Sequence, residues 1–196
     1  TVLCTFALAL LTCLPGRLHA ELVWTPESGW TMQGGALGPA DLNSQALDLM
    51  NRARATEERG GYRAAIKLYA KVTKEFPNSI FSPEAWYRTG YLRLKRKPSY
   101  KAFEAFQQVI GRYPNTKRFD TIVAEQYRIA YALLHGARNY IWGVFPGFRD
   151  RERAIGYFEV LLVDAPYGQY APQALMNIVK GHEMLHQPDA AIDALD

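Results

Sequence analysis

The sharpest chemical pattern in the chain is His182-Glu183-Met184-Leu185-His186, an H-E-x-x-H sequence. On a helix, positions four apart share one face, so two imidazoles could ligate zinc while Glu183 activates a bound water. A catalytic zinc needs a third protein ligand. Only Asp189, Asp193 and Asp196 follow, and they fall on the next helical stretch. The helical register places His182 between helices and His186 at a turn, which accounts for the pattern without chemistry. A zinc metallohydrolase using His182, Glu183 and His186 is the third reading carried forward. No phosphate-binding glycine loop and no G-x-S-x-G elbow occurs, and the carboxylates form no inward-facing pair. The expectation is a non-catalytic protein with no metal and no cofactor.

Both cysteines, Cys4 and Cys13, lie in the first twenty residues. Val2 to Leu14 is nearly all apolar, about the length of a secretory h-region, and Pro15-Gly16 breaks it. Leu18-His19-Ala20 offers a cleavage site, so residues 1–20 are read as a signal peptide. Leu10-Leu11-Thr12-Cys13 loosely matches a lipobox, with Thr12 where Gly or Ala is usual, which makes Cys13 a candidate for lipidation. Either route predicts export. The chain opens on Thr1 and stops at Asp196 inside a helical pattern, and it is read as a fragment at both ends.

The element pattern behind these residues is helical from about Asp41 onward, with apolar positions three and four apart. With 196 residues, 48% apolar and 21% charged, the composition is that of a globular chain and excludes disorder. No apolar run reaches the ~18 residues a membrane helix needs. Residues 61–79 (GYRAAIKLYAKVTKEFPNS) align with 99–116 (SYKAFEAFQQVIGRYPNT), and the shape returns in 151–168 and again from 187. Each copy has a small residue (Ala65, Ala102, Ala154, Ala191) and a large one four further on (Tyr69, Phe106, Phe158, Leu195). Three copies end in proline (Pro77, Pro114, Pro166), which stops a helix because it lacks the N–H donor.

Each such helix has an earlier partner. Trp86 and Gly90 stand four apart in 83–97, the first filling space between helices and the second allowing close approach. Pro83 to Thr116 is 34 residues and resembles a tetratricopeptide repeat (TPR) at the Trp, Gly, Ala, Phe and Pro positions. The expected fold is all-α: a TPR superhelix of stacked antiparallel helix pairs over 41–196. Its repeats fall at about 41–79, 83–116, 122–168 with an insert at 136–150, and a truncated 171–196.

In such a stack the first helix of each pair lines the concave side. Residues there that packing does not require are free to bind: Arg54, then Tyr87, Tyr91 and Lys95, then Tyr127 and Tyr131. Tyrosine offers a large contact area and a polar tip at little entropic cost, so this stripe suits a bound polypeptide. Residues 51–101 hold thirteen bases against four acids, whereas 21–50 hold four acids and no base. The positive field draws a carboxylate, an acidic partner or anionic headgroups; nucleic acid is not an expected partner of an exported chain. The insert GARNYIWGVFPGFRDR (136–151) is aromatic and glycine-rich, and Trp142 and Phe145 are its candidate contact residues. Glu21 to Ala40 reads as an extended lead-in whose Trp24 and Trp30 anchor either on the first helices or on a partner.

The combination resembles the BamD family, the TPR lipoproteins of the outer-membrane β-barrel assembly machinery. The most specific likeness is in the third copy. There Trp142-Gly143-Val144-Phe145, the stretch Arg151–Tyr170 and Pro166-Tyr167-Gly168-Gln169-Tyr170-Ala171 stand where the family has an FFGV-like loop, a basic helix and a PNSQYA-like end. The resemblance implies a non-catalytic scaffold at the periplasmic face of the outer membrane. It implies partners too: the barrel-forming assembly subunit and unfolded outer-membrane proteins. Another periplasmic TPR adaptor, in cell-wall synthesis or division, is the second reading.

Overall fold

A computed structural model describes residues 21–33, 40–96, 100–137, 140–141, 145–146 and 150–195. Residues 1–20, with Cys13, lie outside the described residues. Eight helices are described: α1 (Ala40–Glu58), α2 (Tyr62–Glu75), α3 (Ser82–Arg96), α4 (Tyr100–Arg112), α5 (Phe119–Leu134), α6 (Arg151–Asp164), α7 (Ala171–Met184) and α8 (Pro188–Asp193). They pack as successive antiparallel pairs, α1 with α2 through α7 with α8, and stack into an all-α TPR superhelix.

The repeat shows in its turns. α2, α4 and α6 each stop two residues before a proline, at Glu75, Arg112 and Asp164. Each is followed by the same two backbone hydrogen bonds. Ser79 N–H donates to Phe76 O and Ser82 N–H to Ser79 O. Thr116 N–H donates to Tyr113 O and Phe119 N–H to Thr116 O. Gly168 N–H donates to Ala165 O and Ala171 N–H to Gly168 O. Three different sequences thus make one connection.

The turns inside the pairs repeat as well. Gly61 N–H donates to Thr56 O, Ala137 N–H to Ala132 O and Gln187 N–H to His182 O, each closing the end of a first helix. The residue before each donor is left-handed: Gly60 (φ 79°), Gly136 (φ 95°) and His186 (φ 58°). This is a helix C-cap that favours glycine. His186 therefore sits past the end of α7, in the cap position, not one helical turn above His182.

Packing follows the small–large pattern. Ala65, Ala102 and Ala154 are fully buried, as are Tyr69, Phe106 and Phe158 four residues on. Leu195, their counterpart in the last copy, is exposed. Two cores run along the stack, one around Met50, Tyr69, Val72 and Phe81, the other around Phe106, Ile129, Leu133, Phe158 and Ile178. No described helix is long and apolar enough to cross a membrane.

The lead-in departs from its reading as an extended strap. It is a β-hairpin, β1 (Glu21–Thr25) paired antiparallel with β2 (Gly29–Gln33), Trp24 opposite Trp30. Its three-residue loop closes on Gly29 at φ 69°, a left-handed position where a Cβ would also lie 2.8 Å from Asn51 Oδ1. The aromatic insert holds a second short ladder, β3 (Tyr140–Ile141) with β4 (Phe145–Pro146).

Candidate functional site: the concave face

In a TPR stack the first helix of each pair lines the inner side, which here assigns it to α1, α3, α5 and α7. The first stretch of that side is already occupied. Trp30 is buried in the core beside Met50 and Leu49, and its backbone N–H donates to Asn51 Oδ1 at 2.8 Å. Trp24 lies under Arg54, whose guanidinium carbon is 4.3 Å from the ring centroid. The two tryptophans thus anchor on the chain's own helices.

Arg54, expected to be free for a partner, is engaged within the chain. Its Nη1 donates to Glu57 at 2.9 Å and its Nε to Glu58 at 3.0 Å. Glu57 also accepts from Arg88 Nη1 (3.4 Å) and from the Tyr69 hydroxyl (2.8 Å). Arg88 Nε donates to Glu84 at 2.9 Å, and Glu84 in turn accepts from Arg118 Nε (2.6 Å) and Nη2 (3.1 Å). Arg118 then covers the Tyr87 ring at 4.3 Å. An ionic spine, Arg54–Glu57–Arg88–Glu84–Arg118, therefore ties α1 to α3 and to the turn before α5. Burial opposes the charge on Arg88, but Glu84 and Glu57 outweigh it and hold its pKa above the ordinary value.

Tyr87 is 8% exposed and packs on Phe106, so it belongs to the core more than to a binding surface. Tyr91 is half-buried, and the exposed Lys95 ammonium lies 5.1 Å from its ring and 5.7 Å from that of Tyr62. Tyr127 stacks on Tyr170 at 4.8 Å and accepts a hydrogen bond from Asn177 Nδ2 at 3.1 Å. Tyr131 is 45% exposed and stacks on His135. Trp142 lies outside the described residues, and Phe145 is described only through its backbone in β4.

Between α3 and α5 a recess of about 260 Å³ opens, lined by Leu94, Tyr127, Arg128, Tyr131 and Ala132. That is below the ~300–1,000 Å³ of ordinary small-molecule sites. It suits one or two side chains of a polypeptide laid along the groove. Sequence reasoning missed Leu94 and Arg128. Leu94 stands three residues after Tyr91 and Arg128 three before Tyr131, each pair on one helix face, so the register alone could have found both.

The H-E-x-x-H segment is not assembled as a metal site. α7 ends at Met184, His186 has left the helix, and His182 Nδ1 lies 3.0 Å from Gln187 Oε1. Among the described residues no cluster of three or more His, Cys, Asp or Glu side chains is placed to hold a metal.

Three tyrosines carry a pH dependence. Burial and the adjacent Glu57 raise the Tyr69 pKa far above its ordinary value, burial raises that of Tyr87, and burial pushes Tyr157 up to about 12. Below about pH 10 these phenols are protonated in both folded and unfolded chains. As pH rises past that value the unfolded chain ionises first, so stability is lost. Urea midpoints are expected to fall as pH rises from about 10 toward about 12, and Tyr69→Phe with Tyr157→Phe is expected to flatten the fall.

Two stretches, residues 49–79 and 84–116, match the family model described as Tetratricopeptide repeat. No curated protein matches the chain. The matched stretches hold the second half of α1 with all of α2, and nearly all of α3 with all of α4, and the same turn geometry continues beyond them. The chain is a TPR-containing protein, built on a fold that typically serves as a non-catalytic scaffold for protein–protein interaction.

Proposed function

We propose that the protein is a scaffold of outer-membrane β-barrel protein assembly, similar to the BamD family, acting at the periplasmic face of the outer membrane. The segment 1–20 would direct export, with Cys13 as a candidate lipid anchor. The groove holds an extended stretch of a client or of the barrel-forming subunit. The observation that carries this reading is the recess between α3 and α5, where the exposed Tyr131 ring and Leu94 form an apolar socket. The exposed cation of Lys95, on the same helix as Leu94, would attract an acidic group of the bound chain.

Pull-down from detergent-solubilised envelopes tests it. The barrel-forming subunit is the expected catch, and Tyr131→Ala should cut its recovery about tenfold, the effect of losing ~1.4 kcal/mol. Recovery of cell-wall enzymes alone would replace the assembly role with the adaptor reading.

A further inference from the structure

The hairpin has two edges with different fates. Trp30 N–H leaves the ladder to bond Asn51 Oδ1 on α1, so the outer edge of β2 is seated on the repeats. In an antiparallel ladder, facing pairs alternate between those that exchange hydrogen bonds and those whose N–H and C=O groups point outward. Trp24↔Trp30 is thereby an outward-pointing pair, and Leu22↔Met32, two residues along, is another. The N–H and C=O groups of Leu22 and Trp24 therefore point off the free edge of β1. Among the described residues nothing is hydrogen-bonded to that edge. Natural edge strands are commonly defended by lysine, proline or a bulge; β1 has no lysine, no proline and an unbroken register. Its side chains hold it firmly: Leu22 and Trp24 pack on the core of the first repeats.

We infer that the outer edge of β1 is a strand-addition site, at which an extended segment of a client polypeptide pairs with the backbone of Leu22 and Trp24. Only an extended backbone offers donors and acceptors at that alternation. A second copy pairing here would join five residues to five. That is too little for a stable dimer, which buries about 1,200–2,000 Å². A transient client segment needs no such area. The only charged residues of the hairpin segment are Glu21 and Glu27, so a segment with basic ends is the complementary occupant. The inference rests on the scaffold reading for the source of that segment, and on the hairpin alone for its chemistry.

The test uses the purified protein and a ten-residue peptide of alternating valine and threonine with a lysine at each end. Hydrogen exchange should slow about tenfold or more at the amides of Leu22 and Trp24 and stay unchanged at Val23, whose N–H already faces β2. Leu22→Pro removes an outward donor without touching a hairpin bond, but it also removes the packing of Leu22, so Leu22→Ala is measured beside it; the proline variant should bind about tenfold more weakly than the alanine variant. The exchange measurement on the unmodified protein decides the matter if the proline variant misfolds. Protection at α3 and α5 with none at Leu22 and Trp24 would overturn the inference and leave the groove reading standing. Edge protection that appears without peptide and grows with protein concentration would assign the edge to a second copy, and would also overturn it. Edge protection together with a failed envelope pull-down would uphold the edge and remove the assembly role.

Discussion

Gly90→Leu is expected to destabilise the protein by about 3 kcal/mol or more, read as a fall in the urea midpoint. A Cβ at position 90 would lie 2.7 Å from Phe106 Cε1 and 2.8 Å from Cδ1. Phe106 is fully buried and touches Tyr87, so its ring cannot swing away. Inserting even a methylene into a closed core costs about 1–3 kcal/mol, and leucine brings four carbons. The same contact joins α3 to α4, so the strain falls on the pairing of two helices and not on one side chain. Pairing Gly90→Ala with Phe106→Leu should recover part of the loss of the single alanine variant, because the two positions share one space.

Arg88→Ala is expected to cost about 1.5–3 kcal/mol, the range for losing hydrogen bonds to charged groups, because Glu57 and Glu84 each keep another arginine. Its guanidinium stands between Glu57 and Glu84, both buried; without it Glu57 keeps Arg54 and the Tyr69 hydroxyl, and Glu84 keeps Arg118. Lysine should not replace it, since one ammonium cannot reach both acids as the planar fork does. A triple variant that combines Arg88→Met with Glu57→Gln and Glu84→Gln should restore no more than part of the stability, because it removes the excess carboxylate charge but also takes these acids from Arg54 and Arg118. Thermal unfolding of the single and triple variants separates these two effects.

The helix pairs were legible in the chain because their determinants are local. Proline two residues past a helix end, alanine followed by an aromatic one turn on, and glycine opposite a large ring all act within one repeat. The hairpin was not legible. Thr25-Pro26-Glu27-Ser28-Gly29 lacks the Asn-Gly or Asp-Gly pair of a tight hairpin, and the glycine-rich surroundings read as loop. What fixes it is distant in sequence: Asn51 and Arg54 on α1. Tyr87 shows the same limit. The register places it on the inner face, but Arg118, from outside any helix, lies over it and removes it from the surface. Tyr131 stacks on His135 and still stays open on the surface.

The most direct measurement of the scaffold claim places a photo-crosslinking phenylalanine at position 131, on the inner face, and separately at 159, on the exposed side of α6. Illumination with an unfolded barrel protein present should give a cross-linked product from position 131 and none from 159. Product from 159 alone, or equal product from both, would contradict a groove that holds the client.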